Sequence, residues 1–319
     1  MLEQLADLRH RWMQAGSAYP GGLAALDEIR RHLDSLATRG ELRTFRRSSG
    51  ALGAALLWCP DPLDPFYRAT ITHLVAQHDG SSEGLAWLAA AITKVVPGLP
   101  DDLECVVPSA DRATRTLLGE AGLGISTLML AGRVRQARRA LQARPRPPLR
   151  PEALGLEVRE MCPGDAGEVV DLLRRVFTEE PDYAWFMAAE PWLERRRTEL
   201  AAGEQDRLSL LLRRDGRLLG LVEAGLKPVD AHHGSSVGVG LVLDREIRGC
   251  GLAPYAYDRV LALAEEGGVE WIKGATARPA VLHLATQMGR RSVSVFMRRR
   301  PCFRDGRFDR ALDGHGLEG

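Results

Sequence analysis

Short apolar runs bounded by Asp and Gly alternate along this chain with stretches where apolar residues recur at helical spacing, and the switches between the two predict its elements. Leu208–Leu212 and Leu218–Leu226 read as strands joined through Arg213-Arg214-Asp215-Gly216-Arg217, a hairpin turn whose Asp and Gly serve the backbone. Leu241–Leu243 ends another strand. Pro254 to about Glu266 reads as a helix, with proline in the first turn, where a missing N–H costs little, and Gly267-Gly268 as its stop. The pattern then predicts a buried strand over Val269–Ala275, a helix over Pro279–Met288 closed by Gly289, and a last strand over Ser292–Met297. Upstream, Leu156–Val158 reads as a strand, followed by Gly164-Asp165 and a helix through Phe177.

The first half of the chain repeats this order. A fixed shift of 167 positions, which lays Ser81 on Arg248, pairs Gly53 with Gly220, Gly84 with Gly251, Ala86 with Ala253 and Gly122 with Gly289. Predicted strands and helices fall on one another under the same shift. It also places Met1 opposite Glu168, so the first copy lacks a strand equivalent to Leu156–Val158. The proline-rich stretch around Pro145, Pro147, Pro148 and Pro151 separates the copies as a stiff linker. The division expected is 1–135, 136–153 as linker, 154–302, and a tail over 303–319.

Chemistry concentrates where Leu241-Val242-Leu243 runs into Asp244-Arg245-Glu246-Ile247-Arg248-Gly249-Cys250-Gly251-Leu252-Ala253. A strand entering a basic, glycine-rich turn that opens a helix suits a pyrophosphate: unpaired amides point outward, the helix dipole favours negative charge, and glycines allow close approach. At the matching place the first copy has Ser81-Ser82-Glu83-Gly84, which loses the cation and adds a carboxylate. Cys250 reads as a filler of a free position, not a nucleophile.

The spacing Arg248-x-x-Gly251-x-Ala253, with a strand before it and helix, strand, helix and strand after it, resembles the acyl-CoA loop of the GNAT superfamily of N-acyltransferases. The resemblance covers about residues 155–300. With the repeat it is similar to the tandem GNAT enzymes, and implies an α/β (α+β) fold of two GNAT-like domains, each a mixed twisted sheet flanked by helices, the first degenerate. It further implies acetyl-CoA or another acyl-CoA as cosubstrate, its pantetheine arm along Leu241, Val242 and Leu243 and its pyrophosphate on the backbone of Arg248 to Ala253. Gly238 and Gly240 either open room for an acceptor or mark a bulge.

Acyl transfer to an amine needs a base on the acceptor side. Glu223 is the leading candidate, since its counterpart is Leu56 and its strand neighbours are apolar; a solvated strand carboxylate is the other reading. Asp230, His232 and His233 offer a titratable loop nearby. The family's proton-donating tyrosine falls on Ala285, its asparagine on Arg278 and its aromatic after the glycine on Arg290, so that Tyr255 or Tyr257 substitutes, the thiolate leaves unprotonated, or the reaction differs. Asp182, Tyr183 and Trp185, in the family's acceptor-binding segment, form either a pocket for a cationic amine or an amphipathic helix.

Composition narrows the partners. Of 319 residues 45% are hydrophobic and 27% charged, and the net charge of +1 argues against a globally basic nucleic-acid binder. Arginines at Arg133–Arg146, Arg195-Arg196-Arg197 and Arg298-Arg299-Arg300 read as solvated faces or, if convergent, as a stripe for an aminoacyl-tRNA donor. Glu3, Asp7, Arg9 and Arg11 break any signal-peptide core, and the longest apolar helix, about Gly84 to Val96, contains Lys94 and is too short for a bilayer. Five cysteines without metal-ligand spacing suit reduced thiols in a cytoplasm. The expectation is a monomer or homodimer without metal that acylates a small-molecule amine, with a non-catalytic acyl-CoA-binding module as the alternative.

Overall fold

The computed structural model describes residues 2–16, 23–61, 71–100, 103–145, 148–179, 190–203, 207–230 and 234–299. The tail over 303–319 lies outside them. The first half runs α1 (Leu2–Gly16), α2 (Leu23–Ala37), β1 (Glu41–Arg46), β2 (Leu52–Asp61), β3 (Ile71–His78), α3 (Ser82–Val95), β4 (Leu103–Pro108), α4 (Arg112–Glu120), β5 (Gly124–Arg133) and α5 (Val134–Gln142). The second runs β6 (Glu157–Glu160), α6 (Ala166–Thr178), α7 (Glu190–Ala202), β7 (Arg207–Arg214), β8 (Arg217–Asp230), β9 (Gly234–Leu243), α8 (Leu252–Glu266), β10 (Trp271–Thr276), α9 (Pro279–Gln287) and β11 (Arg291–Arg298).

The shift of 167 reproduces this order. It carries both ends of α4 onto those of α9 and the start of β5 onto that of β11. Among the described residues the first half has no strand matching β6. All strands join one sheet, in the order β1-β2-β3-β4-β11-β5-β10-β9-β8-β7-β6. The last strand of each half has crossed to the other: β11 lies antiparallel between β4 and β5, and β5 antiparallel between β11 and β10.

Side-chain alternation gives the sheet two apolar faces. Ala54, Leu56, Val222, Ala224 and Ile272 pack in one cluster with Leu88 of α3, Ala137 of α5, Tyr257 of α8 and Ala285 of α9, so this core spans both halves. The opposite face is covered by α1 and α2 over Ala55 and Leu57, and by α6 and α7 over Leu211 and Leu221.

The gapless shift fails at one place. Across from matching positions, Ala54 faces His78 and Leu221 faces Val242, while α3 starts at Ser82 and α8 at Leu252. The second copy's loop is therefore six residues longer, as the stretches His78 to Ser82 and Val242 to Leu252 show. Ser81, the N-cap of α3, takes the place of Gly251, the N-cap of α8. Gly84 is not the counterpart of Gly251: it is buried within the first turn of α3, where a Cβ would come within 2.7 Å of the Gly53 carbonyl oxygen.

Candidate functional site

Strands β9 and β10 run parallel and pair only at Ser236, Val237 and Gly238 against Trp271, Ile272 and Lys273. Beyond Gly238 they diverge. From Val239 to Leu243, β9 keeps β8 on one edge and has no described strand on the other. The gap opens into a cavity of about 770 Å³. Gly225, Gly238, Gly240 and Gly274 all line it, so the room comes from missing side chains. No Cβ placed at Gly238 would meet any atom nearer than 3.9 Å. Leu241 and Val242 line the cavity, whereas Leu243 packs beside Ile247 and Leu252.

The segment after β9 is held from below. Asp244 accepts a bond from Glu246 N at 3.2 Å and pairs with Arg175 and Arg217, and Ile247 is buried. Gly249 and Gly251 have φ of 76° and 83°, a region that side chains with a Cβ rarely enter. No side chain caps α8, so its first amides, at Leu252 and Ala253, keep no internal partner. The first copy is built the other way. Ser81 Oγ accepts from Gly84 N at 3.1 Å, Ser81 N donates to Asp79 at 3.0 Å, and Asp79 pairs with Arg47 at 2.5 Å. Its helix start is occupied by the protein's own groups.

Arg248 turns inward: Nε donates to the Leu243 carbonyl at 2.7 Å, and Nη2 lies 3.6 Å from Glu179. Its side chain thus ties the loop to β9 and α6. Cys250 is exposed, and its Sγ lies 3.8 Å from the Arg248 carbonyl oxygen.

Glu223 lines the cavity from β8, opposite Gly240. Its flank differs from the apolar one expected: Arg196 of α7, only 6% exposed, donates to Glu223 Oε1 and, at 3.0 Å, to Glu199. Arg195 donates in turn to Glu199 at 2.6 Å. Reading Arg195-Arg196-Arg197 as a solvated face is therefore corrected for its middle member. Glu223 Oε2 lies beside Gly240, 3.6 Å from where that residue's Cβ would stand.

Tyr257 is buried on α8 and lines the cavity, with the Arg290 guanidinium 5.9 Å from its ring centre. Arg290 and Arg278 line it as well, and so does Leu130 of β5, a residue of the first half. Ala285 is buried without a polar group, and His283 is exposed and bonded to Gln287 at 2.8 Å. Tyr255 lies on the same helix, two residues before Tyr257, and does not line the cavity.

His233, with His232, and the acceptor residues Asp182, Tyr183 and Trp185 lie outside the described residues. The aromatics flanking that segment, Phe177 and Trp192, do reach the cavity, edge to face with ring centres 5.8 Å apart. The structure therefore brings Glu223, Tyr257, Leu241 and Val242 onto one cavity beside the loop from Arg248 to Ala253. Sequence reasoning missed Arg196, Glu199 and Leu130. Of these only Glu199, three residues after Arg196, left a trace in the sequence, as a helical ion-pair spacing.

Comparison with solved structures places this geometry. No protein-family model and no curated protein sequence matches the chain. A GCN5-related N-acetyltransferase from Sphaerobacter thermophilus superposes with a TM-score of 0.60 at 17% identity, over 93% of this chain and 92% of that one. A GCN5-related glucosamine N-acetyltransferase region of a fungal multi-domain GH3 β-N-acetylglucosaminidase gives 0.56 at 12% identity, over 92% of this chain. It involves 36% of that longer protein. The chain has the fold of the GCN5-related N-acetyltransferases, laid out twice in a single sheet.

Proposed function

We propose that the second half of this chain, residues 154–302, transfers an acyl group, in the simplest case acetyl, from acyl-CoA to the amine of a small molecule. The observation that carries the reading is the uncapped start of α8, behind a loop with two glycines at positive φ, beside a cavity at the divergence of β9 and β10. The turn from Arg248 to Gly251 and the uncapped amides of Leu252 and Ala253 would take the pyrophosphate, and the edge of β9 past Gly238 the pantetheine arm. CoA supplies the activated thioester; the chain supplies position and a proton acceptor.

Glu223 is assigned the proton. Arg196 fixes one of its oxygens and leaves the other at the cavity, so the carboxylate is aimed as well as present. Tyr257 lies on the far wall as a hydroxyl that can orient the thioester. The first half serves as support and lends Leu130 to the wall.

An aminoacyl-tRNA donor would need a stripe of arginines not neutralised by neighbouring carboxylates. Instead Arg133 pairs with Glu270, Arg135 and Arg138 with Glu265, Arg197 with Glu194, and Arg298 with Glu104. This pairing of the cations with the protein's own carboxylates favours the acyl-CoA reading.

Calorimetric titration with acetyl-CoA tests it. Binding is expected for wild type and, on the order of tenfold weaker, for Gly249→Ala with Gly251→Ala, because a Cβ at positive φ reshapes the loop. No binding by wild type, or equal binding by the double variant, would sink the proposal.

A further inference from the structure

Arg290 is 4% exposed, yet no carboxylate pairs with it among the described residues. Its Nη2 donates to the carbonyls of Leu130 at 3.0 Å and Gly274 at 3.4 Å, and its Nε is buried without a partner. Nη1, neither bonded nor buried, is the nitrogen left to the cavity that Arg290 lines. Burying a cation without a counter-ion is costly, and a guanidinium held by two carbonyls is fixed in place for an anion that arrives.

The sheet decides which anion. Val222, Ala224 and Ile272 face α8, whereas Leu221 faces α6 and α7. By alternation Glu223 belongs to the α7 side, as its bond to Arg196 shows, and Gly274 to the α8 side with Ile272. Arg290 Nη2 lies 3.2 Å from where a Cβ on Gly274 would stand, and Gly274 is the first residue of β10 past the last pair with β9. Arg290 and Glu223 therefore stand on opposite faces of the sheet and meet only through the gap between the strands. The uncapped start of α8 is on the Arg290 side.

We infer that Arg290 is the catalytic residue for the leaving group: its guanidinium stabilises the CoA thiolate by charge, with no proton transfer. The inference rests on the acyl-CoA reading above. The acceptor nitrogen forms a bond to the thioester carbonyl carbon and the carbon–sulfur bond breaks. The nitrogen's proton passes to Glu223, the bonding pair leaves on sulfur opposite Arg290, and the thiolate takes a proton from water after release. An arginine cannot act as the acid in such a step at neutral pH, but it can hold the charge. A single nitrogen turned to the cavity suits a one-atom anion such as a thiolate; a carboxylate would call for the two-pronged guanidinium edge.

The test is the ultraviolet absorbance of the thiolate of free CoA bound to the full chain, followed against pH. In wild type the bound thiol is expected to titrate about one to three pH units below CoA in solution, and in Arg290→Gln to return towards the solution value. Arg290→Lys should keep part of the lowering. With acetyl-CoA and an amine that turns over, Arg290→Gln is expected to cut kcat on the order of a hundredfold with KM for acetyl-CoA little changed. A wild-type thiol that titrates as in solution overturns the inference alone, and so does a lowering abolished by Tyr257→Phe but not by Arg290→Gln. Failure of wild type to bind CoA overturns this inference and the acyl-CoA reading together. The wild-type titration is decisive even if Arg290→Gln does not fold.

Discussion

At the residue scale the pair Arg196–Glu223 carries both stability and the proposed chemistry. Arg196 is almost wholly buried and Glu223 about a fifth exposed, so removing one partner strands the other in a poorly solvated place. Arg196→Met is expected to destabilise by on the order of 2–3 kcal/mol in denaturant melts, and Arg196→Met with Glu223→Leu to recover much of that loss. A double variant no more stable than Arg196→Met would show that the pair is not the cause. In Glu223→Gln the pH–rate profile should lose its acidic limb while acetyl-CoA binding persists; a limb that survives assigns the base elsewhere. Glycine is readable in a sequence because few other residues tolerate a positive φ, which is why the loop from Arg248 to Ala253 stood out. Arg196 was not readable. Flanked by Arg195 and Arg197, it carries the same letter whether it faces water or a cavity, and only the third dimension separates the cases.

At the element scale the two copies differ in how a helix start is satisfied. Ser81 and Asp79 close the first one with side chains, and the second has no side-chain cap. The first copy also bridges its own strand end. Asp111, the N-cap of α4, accepts from Thr114 N at 2.9 Å and from Trp12 Nε1 at 2.5 Å, and lies 3.1 Å from His78 Nε2 at the end of β3. Burial alone would push this carboxyl up, but the bonds from His78, Thr114 and Trp12 bring it down to about 2. A carboxyl lowered on folding adds stability that is present above its unfolded value near pH 4 and lost as pH falls through about 2. Thermal melts of wild type should therefore decline more steeply between about pH 4 and pH 2 than those of Asp111→Asn. Equal slopes would remove Asp111 from the account. The boundaries of α4 and α9 were legible because Asp111 and Pro279 mark helix starts. The unequal loops were not, because the first copy offsets the insertion with about three more residues between Ala54 and His78 and about three more between Ser82 and Arg112, so a gapless shift that matches glycines hides it.

For the whole molecule the decisive fact is the exchange of β5 and β11. Hydrophobic pattern and repeat length predicted two similar units and nearly every strand in them, yet neither says which neighbour a strand chooses. That choice depends on edges far apart in the chain. Arg133 of the first half stacks 3.9 Å from the Trp271 ring centre and pairs with Glu270, Arg138 joins α5 to α8 through Glu265, and the largest apolar cluster is shared. Calorimetry is expected to record one unfolding transition whose measured and van't Hoff enthalpies agree, in place of one for each half. Two resolved transitions would contradict this coupling. Residues 154–319 produced alone should aggregate, and adding residues 1–145 during refolding should restore a monodisperse complex.

The crossing strands also bear on the history of the chain. A duplicate whose helix start has been sealed by serine and aspartate would ordinarily be free to drift and be deleted. Here deletion would strip β10 and β11 of the strand that lies between them and take Leu130 from the cavity wall. Selection can therefore act on the sealed copy through folding, by the strand edges it covers.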